Sequence, residues 1–173
     1  HRPVQLLWTA VVFYLLFSSI RDVLGAVGGA MGVEISAVFD APLVARNPRD
    51  FWGMRWNLWF TQTAHRLVFE PVRERSSALW ASTAVFGLSA LVHEAIVMAG
   101  RATFDGRMLL FFTVQGLGAT IYTLLKARGV RPWPRALAVC THFGWMWLTV
   151  AWFLDPLDTF FGISRWGLSD VLS

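Results

Sequence analysis

The chain has 173 residues, room for one domain, and a formal net charge of +4. Hydrophobic residues make up 55% and charged residues 15%, against roughly 25% charged in a water-soluble domain, so the composition argues against a soluble enzyme and points to lipid. The basic residues lie between apolar stretches rather than in a stripe, which argues against a nucleic-acid partner, and a single cysteine, Cys140, excludes an internal disulfide or a thiolate metal site.

The chain opens on His1, and no charged n-region, short apolar core and cleavage site follow in order. The expected reading is a single membrane domain over 1–173, the C-terminal part of a longer protein with further helices upstream. The first apolar stretch is Val4 to Ile20. Crossing a bilayer takes about 20 residues of helix. Gly25, Gly28, Gly29 and Gly32 then predict a loose start to a long connection, Arg21 to Ser77. Its centre, Pro48 to Pro71, mixes tryptophans with arginines. Trp52, Trp56, Trp59 and Phe60 are spaced to share a helical face, which predicts an amphipathic segment lying in the interface or dipping into the membrane.

The second stretch, Ala78 to Gly100, carries His93 and Glu94. A short turn, Arg101 to Arg107, leads to a third stretch, Met108 to Leu125. A basic turn closed by Pro132 and Pro134 leads to the fourth, Ala136 to Leu154, which carries His142. The expected fold is an all-α, multi-pass transmembrane bundle of about four spans. If all four cross, Arg21–Ser77 and Lys126–Arg135 share a side holding eleven of the fifteen Lys and Arg residues. Arg2, Arg101, Arg107 and Arg165 fall on the other, with Asp155, Asp158 and Asp170 in its tail. The excess of cations places the first side in the cytosol.

His93-Glu94 is the main anomaly, because ionisable groups are costly in hydrocarbon and usually face a bundle interior or a wet cavity. Ser82, Phe86, Ser89 and His93 form one helical stripe, with Thr83, Gly87, Ala90 and Glu94 beside it. A neutral buried imidazole is suited to act as a general base toward an alcohol. Glu94, about 100° around the helix, is placed to pair with an arginine or a backbone donor. The residues alone leave a second reading open: a histidine that only joins two helices. Arg49–Arg73 is similarly double. Asn57 is an amide able to orient a carbonyl, while the tryptophans and arginines also suit an interfacial anchor. His65 reads as interfacial; His142 reads as a packed, hydrogen-bonded histidine, with a place in the lining of the same cavity as His93 as the alternative. No two histidines have metal-ligand spacing on one helix, so no metal site is expected. A transporter or channel using His93, Glu94 and His142 is an alternative, though it lacks the expected repeats.

Together these features resemble the membrane-bound O-acyltransferase superfamily, in its wax-synthase-like branch. The segment Asp50-Phe51-Trp52-Gly53 to Arg55-Trp56-Asn57 is similar to the "DFWGRRWN" box. FGLSALVHEAIV is similar to the "SGLMHE" helix, and THFGWMWLTVAWFLDP to the closing span. The resemblance covers about 40–156. Met54 stands where the box often has arginine. The resemblance implies His93 as catalytic histidine, Asn57 as its polar partner, and Trp52, Arg55, Trp56, Ser89 and Glu94 as candidate substrate-binding residues. It further implies acyl-CoA as co-substrate, no other cofactor, and a lipid alcohol as acceptor. Sterols, diacylglycerols and secondary-metabolite hydroxyls are alternative acceptors. The membrane would be endoplasmic reticulum in a eukaryote and the cytoplasmic membrane in a bacterium. One tension remains: His93 is about 22 Å along its helix from the cytosolic end, so either Asn57 dips inward or the helix is tilted for the two to act on one substrate.

Overall fold

A computed structural model describes residues 2–32 and 37–161. Arg165 and Asp170 lie outside the described residues, as does the side chain of Arg2. The elements in order are α1 (Arg2–Ala30), a 3-10 turn (Pro42–Val44), α2 (Pro48–Met54) and α3 (Leu58–Ala64). A π turn (His65–Phe69) carries α3 into α4 (Glu70–Arg75). Then come α5 (Ala78–Arg101), α6 (Arg107–Ala127) and α7 (Arg135–Phe161). Helices α1, α5, α6 and α7 are long and apolar enough to cross a membrane, giving the expected four candidate spans. The described residues form an all-α bundle with no strand.

Helix α1 corrects one expectation. Gly25, Gly28 and Gly29 do not open a loop; they lie inside a helix of 29 residues. In hydrocarbon every backbone N–H needs an internal partner, which overrides the weak helix preference of glycine. The helix stops at Gly32, whose φ of +73° suits a residue without a Cβ. Arg21 therefore sits within α1, paired with its neighbour Asp22. The basic side keeps Arg46, Arg49, Arg55, Arg66, Arg73 and Arg75, plus the four cations of the α6–α7 turn. Its excess survives the correction. Helix α7 likewise runs past the expected end at Leu154, through Pro156. Leu154, Pro156 and Leu157 are buried there; the proline removes its own hydrogen bond and crowds the carbonyl four residues back, a disturbance that packing against neighbouring helices lets a membrane helix tolerate.

The other boundaries follow local chemistry. Ser77 caps α5 by accepting from the Trp80 N–H at 3.4 Å. Gly106, with φ +78°, turns the chain into α6. Past α6, Gly129 at φ +75° ends the helix, and Pro132 and Pro134 delay α7 to Arg135.

The segment between α1 and α5 dips into the bundle rather than lying flat. Asn47 caps α2, accepting from the Asp50 N–H at 2.8 Å. Asn57 adopts a left-handed conformation, φ 46° and ψ 58°, which asparagine tolerates better than most residues. That corner ends α2 and starts α3. It also breaks the single aromatic face expected for Trp52, Trp56, Trp59 and Phe60: the first two belong to α2 and its end, the last two to α3.

Depth is set by α6. A Cβ built on Gly118 would meet Pro48 Cγ at 3.1 Å and Trp145 Cζ2 at 3.3 Å. A Cβ on Gly116 would meet Phe86 of α5 at 3.0 Å. Small residues let helices approach closely where no hydrophobic force drives them together. Gly118 lies nine residues before the end of α6, about 14 Å along the axis, so α2 reaches well below the basic surface. Valine at 118 should force α2 outward and destabilise the fold by roughly 1–3 kcal/mol. Thermal unfolding in detergent checks this; a Gly118→Val protein as stable as wild type would contradict the close approach.

Candidate functional site

His93 projects from α5 into an aromatic cluster. Its ring centroid lies 4.5 Å from Phe112 of α6 and 5.8 Å from Phe153 of α7. Phe111 and Phe112 are buried with Ala90, and Trp52, Phe86, Met146 and Trp152 pack against them. The ring itself is only partly buried.

One hydrogen bond fixes its chemistry. His93 Nδ1 lies 2.8 Å from the backbone carbonyl oxygen of Ser89, one turn earlier. A carbonyl only accepts, so in the neutral ring Nδ1 carries the hydrogen. The lone pair is then on Nε2, the atom a general base needs. Ser89 is itself buried, and it serves His93 through its main chain.

Glu94 does different work. It is 3% exposed, and its Oε1 accepts from the backbone N–H groups of Asp105 at 2.8 Å and Gly106 at 2.7 Å. The carboxylate therefore caps the entry to α6, the backbone-donor partnership anticipated for it. Around that turn, Asp105 accepts from Arg101 and Arg107, each at 2.6 Å, and Arg107 reaches Asp155 at 3.5 Å. The hydrogen bond from Arg107 chiefly holds the Asp105 carboxyl below the usual carboxylate range. The ends of α5, α6 and α7 opposite the basic face are thus tied together, with His93 one residue from the tie.

The aromatic-basic box approaches His93 through Trp52. The Trp52 ring lies 5.8 Å from Phe112 and 6.0 Å from Phe111, so Phe112 is shared by the box and the histidine. Trp56 stacks on Phe51 at 5.3 Å, with an interplanar angle of 16°, and contacts Phe39. Arg55 is engaged within the segment. Its Nε donates to Asp50 at 2.9 Å and its Nη1 to the carbonyl of Asp40 at 3.1 Å. Burial pushes the Asp50 carboxyl up, but the Arg46 N–H and the Arg55 guanidinium outweigh it and hold the group below its ordinary range.

Asn57 stands at the α2–α3 corner, its side-chain oxygen accepting from the Phe60 N–H at 3.4 Å. Thr61 ties the corner together by donating to the Trp52 carbonyl at 3.0 Å. Among the described residues no hydrogen bond or ring contact joins Asn57 to His93. The structure thus brings His93, Ser89 and Trp52 into one neighbourhood. It places Arg55, Trp56 and Asn57 on the supporting segment, and Glu94 at the α5–α6 turn.

Two other residues complete the picture. His142 is 2% exposed, its ring 5.4 Å from Phe51, and neither ring nitrogen has a hydrogen-bond partner among the described residues. Gln115, not singled out from sequence, is buried in the middle of α6 and meets Trp52, Trp145 and Thr149. Its sequence signal was a lone amide beside two glycines within an apolar span, the kind of intramembrane polar group that marks function or packing.

Comparison with known proteins bears on the whole arrangement. The family model for the membrane bound O-acyl transferase family matches residues 35–114. An acyl-CoA–sterol O-acyltransferase of Arabidopsis thaliana is 27% identical over 165 residues, covering 90% of this chain and 48% of that protein. A probable long-chain-alcohol O-fatty-acyltransferase of the same plant is 28% identical, covering 73% of this chain and 41% of its own length. The long-chain-alcohol O-fatty-acyltransferase of Simmondsia chinensis is 25% identical, with 73% and 39% covered. The chain spans about half the length of these relatives or less. No solved structure matches. The matched segment contains both Asn57 and His93, and the similarity to acyltransferases runs on through the later spans, so this chain, an integral membrane protein by its four long apolar helices, is similar to the membrane bound O-acyl transferase family.

Proposed function

We propose that the protein transfers a fatty acyl group from acyl-CoA to the hydroxyl of a long-chain alcohol, with His93 as general base. The observation that carries this reading is the bond from His93 Nδ1 to the Ser89 carbonyl, which leaves Nε2 as the basic atom beside the wall shared with Trp52. In the reaction, Nε2 takes the hydroxyl proton as the alcohol oxygen attacks the thioester carbonyl. The new C–O bond forms, the C–S bond breaks, and the imidazolium returns its proton to the departing thiolate. The neutral ester leaves sideways into lipid. Polyanionic CoA approaches from the cation-rich face, assigned to the cytosol by its charge. Asn57 acts as the polar partner of the box, shaping the corner that carries Trp52.

A sterol acceptor is the second reading, favoured by the sterol acyltransferase whose similarity covers 90% of this chain. Membranes carrying the whole protein, given labelled acyl-CoA with either a long-chain alcohol or a sterol, distinguish the two by thin-layer separation of the esters. Ester formation on neither acceptor would reject both. Asn57→Ala should lower turnover roughly 10-fold or more by shifting the corner that carries Trp52, while its yield of folded protein falls less. Equal losses of turnover and of folded protein would reduce Asn57 to a helix cap.

A further inference from the structure

Gln115 is 0% exposed and lies in the middle of α6, eight residues from its start. Its Oε1 is 3.2 Å from Trp52 Nε1 and 3.3 Å from Trp145 Nε1. Its Nε2 is 2.8 Å from the Thr149 hydroxyl oxygen, which in turn donates to the Trp145 carbonyl at 3.1 Å. Indole N–H groups only donate, so the atom between the two tryptophans must be the oxygen. The amide orientation is set by its neighbours. One side chain thereby joins the dipping helix α2 to α6 and α7 at a depth where water offers no alternative partner.

The consequence reaches His93 in two ring contacts. Gln115 holds the Trp52 indole, Trp52 faces Phe112 at 5.8 Å, and Phe112 faces His93 at 4.5 Å. Trp52 is held at its other side by the Thr61 hydroxyl, which bonds its carbonyl. Within the α2 segment, Trp52 is thus fixed through both side chain and main chain. The directional N–H bond adds to packing a fixed depth and rotation for the indole.

We infer that Gln115 is a positioning residue for acyl transfer: it fixes the Trp52 indole, and so the wall against which substrate meets His93. This rests on the proposed transferase activity, but the geometric part stands separately.

The test compares Gln115→Met, Trp52→Phe and Thr149→Val in the whole protein. Gln115→Met keeps length and removes both polar functions. Trp52→Phe keeps a ring and removes one N–H, a milder change should Gln115→Met fold poorly. Thr149→Val breaks the far arm of the network and leaves the Trp52 bond intact. Kinetics are read per mole of folded protein. Gln115→Met and Trp52→Phe should each lower kcat roughly 10- to 100-fold, with the KM for acyl-CoA unchanged, while Thr149→Val keeps kcat. Independently of turnover, carbethoxylation of His93 by diethyl pyrocarbonate, read by peptide mass, should be several-fold faster in Gln115→Met and unchanged in Thr149→Val. Wild-type kcat in Gln115→Met or Trp52→Phe, or equal losses in all three variants, would overturn the inference. So would an unaltered carbethoxylation rate in Gln115→Met. If the wild-type protein forms no ester, the transferase reading fails, and the carbethoxylation rates still decide the role of Gln115.

Discussion

Replacing His93 with glutamine is expected to lower ester formation by roughly 100- to 10,000-fold, the range a positioned general base supplies. Glutamine keeps a donor able to reach the Ser89 carbonyl, so the helix loses little. What it lacks is a basic nitrogen where Nε2 stands. The alcohol must then attack with its proton in place, and the proton made acidic by the positive charge building on its oxygen has no acceptor. In the proposed mechanism acyl-CoA is recognised away from Nε2, so the KM for the thioester should change little while kcat collapses. Initial rates with labelled acyl-CoA, normalised to folded protein, make the measurement. A variant with an unchanged kcat would remove His93 from the chemistry and leave it a helix-packing residue.

The second large effect is expected at Glu94. Glu94→Leu orphans the Asp105 and Gly106 N–H groups at the entry to α6. Both donors are only partly buried, so leaving them unpaired should cost roughly 1–2 kcal/mol in all. Glu94→Gln keeps a carbonyl oxygen for the same two donors and should retain most of the stability. Because His93 is the preceding residue, a freed α5 also turns the imidazole relative to Phe112 and Phe153, so kcat should fall in Glu94→Leu beyond the loss of folded protein. Thermal unfolding and specific activity, measured together on both variants, separate these effects. If glutamine proves as damaging as leucine, the carboxylate charge matters and the capping account is wrong.

The spans were legible because lipid enforces a simple rule: long apolar stretches must be helical. His93 was legible for the converse reason, as an ionisable group where hydrocarbon should make one costly. The glycine-rich end of α1 was misread because propensities measured in water do not apply where backbone groups have no solvent to turn to. The dip of α2 was expected as one of two options, but its cause was not visible. That cause is Gly118, whose missing Cβ admits Pro48, a contact between residues 70 positions apart in the chain. The break at Asn57 was hidden too, since helical spacing across Trp52–Phe60 gives no sign of a left-handed residue. Gln115 was missed because one amide in an apolar run says nothing of two tryptophans arriving from different segments. Of the candidate site, the buried histidine was readable as an anomaly; the residues packed around it lay in tertiary contacts.

Removal and replacement of the imidazole itself tests the account most directly. In His93→Ala the side chain is cut back beside Phe112 and Phe153, leaving space where a free imidazole fits. Ester formation should fall to background in that variant and rise saturably as imidazole is added, with no such rise in wild type. Ester formation at the wild-type rate in His93→Ala without imidazole would contradict the assignment of His93 as the base.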